Sequence, residues 1–108
     1  MANKRLVEAT RMTRLRGVTL VEIYENQKRQ AHRFDHLHLL DFLEALHFDI
    51  SENEFITLLQ DLSERHYITY KTDKDRKTGD LFLRNLQITP AGRDIVLKIK
   101  KDEAIRIE

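Results

Sequence analysis

The spacing of apolar and polar positions divides the chain into segments of different period. Residues 4–30 contain no proline, and Gly17 is their only weak point as a helix. Their apolar residues are Leu6, Val7, Ala9, Met12, Leu15, Val18, Leu20, Val21, Ile23 and Tyr24. These do not form one narrow stripe at 3.6-residue spacing. A long helix with apolar residues on more than one face has two things to cover, its own core and here a second subunit. Residues 31–34 form a short connector. Asp35 is a good N-cap for a helix over residues 36–46, where Leu37, Leu39, Leu40, Phe42, Leu43 and Leu46 make the most apolar helix of the chain.

A turn over 47–50 leads to the clearest local signal. Ser51 stands three residues before Glu54, the spacing of a capping box, and Ile50 and Phe55 have the spacing of a hydrophobic staple. The helix they start extends to about Arg65. Its core positions are Phe55, Leu58 or Leu59, and Leu62, with Ile56 flanking. The period then changes to two. Residues 67–72 and 81–88 read as strands, and the polar loop 73–80 joins them into a hairpin with a charged tip. In the second strand Phe82, Leu86 and Ile88 fall on one face. Thr89-Pro90 then starts a helix over 89–101 carrying Ile95, Val96, Leu97 and Ile99. Residues 102–108 give no strong signal.

Composition narrows the class. One hundred and eight residues make one domain, with no repeat or linker. There is no cysteine, so disulfides and thiolate metal sites are excluded. With three glycines and one proline the fold is α+β and mostly helical. The N-terminal stretch has no apolar run of signal-peptide type, and nothing approaches a membrane span, so a cytoplasmic protein without membrane contact is expected.

The formal net charge of +1 hides a pattern. Residues 1–34 hold eight basic and three acidic residues, residues 35–66 one and eight, and residues 67–108 ten and seven. Such an alternation is either a binding polarity or a set of solvated helix faces.

Catalytic chemistry is not apparent. No G-x-S-x-G, P-loop or H-E-x-x-H motif occurs, and the glycines are too few for a phosphate cradle. The loop 73–80 has neither its glycine nor a final glutamate at the positions that a calcium loop requires. His32, His36 and His38 read as solvent-facing or capping residues rather than a metal group, and His66 suits a helix C-terminus. The expectation is a protein that is not an enzyme and uses no cofactor or metal.

The stretch LHLLDFLEALHFDISENEFITLLQDLSERHYITY has an apolar helix, a turn, a capped second helix and a strand. LQITPAGRDIV has the Thr-x-x-Gly start of a closing helix. Together they resemble the winged helix-turn-helix superfamily in its bacterial regulator form, and more loosely the small winged-helix proteins of Mu-like prophages. The resemblance covers residues 10–100. It implies one winged-helix domain over 1–108, with a long N-terminal helix (4–30), a helix-turn-helix (35–66), a wing hairpin (67–88) and a C-terminal helix (89–101). It further implies a DNA-binding transcriptional regulator, a homodimer through the first and last helices, a recognition helix over 52–65 and a wing over 72–81.

On these positions Asn53, Thr57 and Gln60 are able to read base edges. Phosphate contacts fall to Lys71, Lys74, Arg76, Lys77 and Arg84 of the wing, and to Arg11 and Arg14. The bland readings are a solvated hairpin tip and a solvated or partner-facing arginine stripe. The sequence departs from the family at two places. Residues 52–66 carry four carboxylates and one arginine, which repels DNA. His47 or Phe48 stands where many such turns place glycine. The second hypothesis is therefore a protein-interaction or assembly module that binds a basic partner through this acidic helix.

Overall fold

The computed structural model describes residues 4–28, with side chains from Val7 onward, and residues 35–108. The connector 31–34, the last two residues of the expected first helix and His32 lie outside them. The architecture is α+β: α1 (Lys4–Lys28), α2 (His36–Ala45), α3 (Glu52–Glu64), β1 (Ile68–Lys74), β2 (Leu81–Ile88) and α4 (Pro90–Val96). The strands form one antiparallel two-stranded sheet.

One core joins all the elements. Leu15, Leu20 and Ile23 of α1 meet Leu39, Leu40 and Leu43 of α2, and Phe55, Leu58, Leu59 and Leu62 of α3. Ile68, Leu83, Leu86, Ile95 and Ile105 close it from the hairpin, α4 and the tail. The buried residues of α3 are those that the helical spacing predicts. Leu37 of α2 and Leu46 at its C-cap stay exposed. Thr19 sits in the buried stripe of α1, and among the described residues its hydroxyl has no hydrogen-bond partner.

The caps explain the helix limits. The Asp35 carboxylate accepts from His38 N at 3.0 Å, Ser51 Oγ from Glu54 N at 3.2 Å and Thr89 Oγ1 from Gly92 N at 3.0 Å. At Ser51 the return bond runs from its hydroxyl to Glu54 Oε1 (3.1 Å). Ile50 and Phe55 are both buried beneath this cap.

α2, α3 and α4 each end in a left-handed residue that is not glycine: His47, His66 and Lys98. In each the two terminal bonds of a Schellman motif are present. His47 N donates to Glu44 O and Phe48 N to Leu43 O. His66 N donates to Ser63 O and Tyr67 N to Leu62 O, while Lys98 N donates to Ile95 O and Ile99 N to Asp94 O. The turn between α2 and α3 is thus the usual one, with His47 where glycine is common. The same motif stops α4 at Val96, so the helix expected to reach Lys101 is shorter. Leu97 and Ile99, placed on that helix by sequence, are exposed.

The hairpin corrects a second expectation. β2 buries Leu83 and Leu86, while Phe82 and Ile88 are half-buried. Thr69 pairs with Gln87 but Lys71 with Arg84, so two residues of β2 oppose Tyr70. This is a β-bulge, with Asn85 at φ 56°. The extra residue flips the alternation, and strict two-residue spacing therefore assigns the wrong face.

The tail is part of the fold. Arg106 N donates to Thr13 O at 3.1 Å and Arg16 Nη1 to Ala104 O at 3.2 Å. Ile105 is buried. The tail crosses α1 at Gly17, so the second apolar face expected to seek a partner subunit is in part covered by the chain's own end.

Candidate nucleic-acid interface

α3 turns its buried face to the core and leaves Asn53 and Thr57 exposed, Gln60 half-buried and Glu64 exposed along the other side. Their spacing keeps them on one helical stripe. Thr57 Oγ1 donates to Asn53 O at 3.0 Å, leaving the hydroxyl oxygen as an outward acceptor.

Three of the four carboxylates of α3 have partners within the chain, two of them arginines. Glu52 Oε1 lies 2.9 Å from His36 Nε2. Glu54 lies 3.9 Å from Arg11. Asp61 is shared by Arg65 (3.0 Å) and Arg16 (3.2 Å). Arg16 Nε is not aligned for a hydrogen bond, so that pair is coulombic. The hydrogen bond to Asp61 also holds the Arg65 proton more tightly than usual. Among the described residues Glu64 is the only α3 carboxylate without an ion-pair or hydrogen-bond partner.

The arginines of α1 that sequence offers to DNA are paired within the chain as well. Arg11 donates to the Asp49 carbonyl oxygen and pairs with Glu8 (3.1 Å) as well as Glu54. Arg14 pairs with Glu108 at 3.2 Å and lies over the Phe48 ring, 5.4 Å from its centroid. Both guanidinium groups therefore have intramolecular partners.

The hairpin is different. Lys71 and Arg84 face each other across it, two like charges on neighbouring strands. Arg84 lies 3.7 Å from Asp73, with both side chains more than half exposed. Lys74, Arg76 and Lys77 are exposed, and among the described residues none has an ion pair. The tip is held by backbone geometry. Gly79 adopts φ 74°, Asp75 N donates to Asp80 O at 2.9 Å, and the Asp75 carboxylate accepts from Lys77 N at 2.8 Å. That carboxylate is thus directed into the loop. Beside the hairpin a cavity of about 390 Å³ is lined by Asp35, Lys71, Phe82, Arg84 and Asn85. The structure brings together the α3 residues on one stripe and the cations on one hairpin, and ties Arg11 and Arg14 to partners within the chain.

Three groups escape the sequence reading. His36, expected to face solvent or cap a helix, is fully buried. Its Nδ1 accepts from Leu83 N at 3.1 Å, so Nε2 carries the proton toward Glu52. It ties α2 to α3 and β2, and packs edge-on to Phe82 at 5.1 Å. The signal is its place one turn before Leu39 and Leu40, on the apolar stripe. Gly17 marks a close backbone approach. The third is Asp102, which accepts from the Tyr67 hydroxyl at 2.6 Å and lies 3.6 Å from Arg65. The Tyr67 bond is the main cause that holds this carboxyl below its usual range and raises the phenol above its own. His38 is exposed beside Asp35, and among the described residues no three His, Asp or Glu side chains are grouped to hold a metal.

Comparison with known protein families, curated proteins and solved structures gives no match.

Proposed function

We propose that this protein is a winged-helix protein that binds double-stranded DNA and acts as a transcriptional regulator in a homodimer. What carries the reading is a difference in how charge is used. The carboxylates Glu54 and Asp61 of α3 have arginine partners within the chain, whereas Lys74, Arg76 and Lys77 of the hairpin have no ion pair among the described residues. Internal pairing lowers the repulsion that α3 presents to phosphates, and free cations supply the attraction. In this reading Asn53, Thr57 and Gln60 face bases while the wing holds the backbone. Exposed Val7 of α1, and Leu97 and Ile99 beyond α4, supply apolar surface for the dimer.

A protein-interaction module is the second reading. The sequence places its surface on the acidic helix α3; the structure adds another at α2, where exposed Leu37 and the C-cap residue Leu46 flank Asp41 and Glu44. Fluorescence anisotropy with random double-stranded DNA at two salt concentrations separates the two. Binding that weakens steeply with salt is expected for the DNA-binding protein. No binding at the lower salt overturns that reading and directs the search to a protein partner.

A further inference from the structure

Past α4 the chain folds back over the core. Ile99 N and Lys100 N donate to Asp94 O at 2.8 and 3.1 Å, and Ala104 N donates to the Asp102 carboxylate at 2.9 Å. These bonds shape a cavity of about 310 Å³. Its lining has two chemistries. Ile95, Ile105 and Ile107 form an aliphatic floor continuous with the core. Lys98, Lys100, Lys101 and Arg106 form a cationic rim. All four cations are exposed, and among the described residues none has an ion-pair partner. Asp102 is the one carboxylate of the lining, and it is already engaged by Tyr67 and Arg65. It does not neutralise the rim.

We propose that this cavity binds a small amphiphilic anion, an acyl or aryl body with a single carboxylate, sulfate or phosphate head. The body lies on the isoleucines and the head among the lysines. Concave sites with an apolar lining and a few convergent polar groups are the general form of small-molecule pockets, and this volume is at the small end of their range. A macromolecular anion such as DNA fits the rim but makes no use of the floor. None of the residues offered to DNA lines the cavity, so ligand binding here and DNA contact by the hairpin and α3 are tested separately. Anchorage of the turn to Asp94 and Asp102 pre-forms the site, which limits the ordering cost of binding.

The test is an NMR titration of the full-length ¹⁵N-labelled chain with octanoate above neutral pH. Octanol and inorganic phosphate serve as the two half-ligands. Octanoate is expected to give saturable shifts centred on residues 95–107 in the millimolar range. Each half-ligand is expected to bind more weakly by about tenfold or more. Lys100→Glu with Lys101→Glu is expected to weaken octanoate by about tenfold or more. Absence of saturation, shifts centred elsewhere, octanol binding as well as octanoate, or undiminished binding to the double variant would each overturn the site. If charge reversal disturbs the fold, Lys100→Gln with Lys101→Gln asks the same question.

Discussion

Gly17 lies directly under the Arg106 carbonyl group, and a methyl group at that position would overlap the carbonyl oxygen and carbon. Gly17→Ala therefore runs against the usual helix rule. At an open helical site the change stabilises by about 0.5–1 kcal/mol. Here it forces the tail off α1, and a cost of about 1–3 kcal/mol is expected, as for overpacking elsewhere. Urea unfolding of both forms checks the size. In a chain ended after Glu103, where Arg106 is gone, the sign should reverse to a gain.

His36 makes two hydrogen bonds in full burial, to Leu83 N and to Glu52. His36→Phe keeps a ring but strands the Leu83 amide, so a loss of about 1–3 kcal/mol is expected by denaturant unfolding. Glu52→Gln retains an acceptor for Nε2 and should cost much less. Equal losses in the two variants would mean that the hydrogen bonds are not what His36 contributes.

The Tyr67–Asp102 bond sets a pH dependence. The depressed carboxyl of Asp102 contributes stability above the unfolded carboxylate value, which is lost as pH falls through the folded one. The raised Tyr67 phenol contributes stability that is full below its ordinary value and is lost as pH rises through the folded one. Tyr67→Phe should cost about 1.5–3 kcal/mol at neutral pH, the range for a hydrogen bond to a charged group. The two stability curves should converge in acid. A constant gap between them down to low pH would show that the bond is not the source.

His47, His66 and Lys98 hold left-handed conformations that favour glycine. Replacing any one with glycine should raise stability by about 0.5–1 kcal/mol, since relief of left-handed strain exceeds the added chain entropy. Gly79 is the converse case. It sits at φ 74° with open space around it, so Gly79→Ala should destabilise by strain alone. Thermal unfolding of the four variants reads both signs.

The hairpin and α1 should respond differently in DNA binding. Lys74→Ala with Lys77→Ala is expected to weaken binding and to lower the salt slope by about 2. Arg11→Ala should leave that slope unchanged and instead reduce stability, because its guanidinium serves the Asp49 carbonyl and Glu54. A slope that falls with Arg11→Ala would place the arginine on phosphate.

Much of this protein is written locally. The Ser51 cap, the Phe55–Leu62 stripe, the change of period after Tyr67 and the Thr89-Pro90 start each involve residues within a few positions of one another. Nearest-neighbour rules therefore suffice for the helices, the hairpin and their order. The exposed cations of the hairpin were legible for the same reason, since a polar loop between two strands has nowhere to go but solvent.

Tertiary structure decided which polar residues face inward. The arginines of α1 and the carboxylates of α3 are dozens of residues apart, and only packing the two helices around one core brings Arg16 to Asp61. The bulge at Asn85, the burial of His36 between three elements and the docking of the tail on Gly17 likewise depend on contacts between distant segments. Sequence by itself determined the elements and the supply of charge. Which charges cancel and which remain for a ligand was decided by the fold, because an ion pair is a matter of distance in space rather than along the chain.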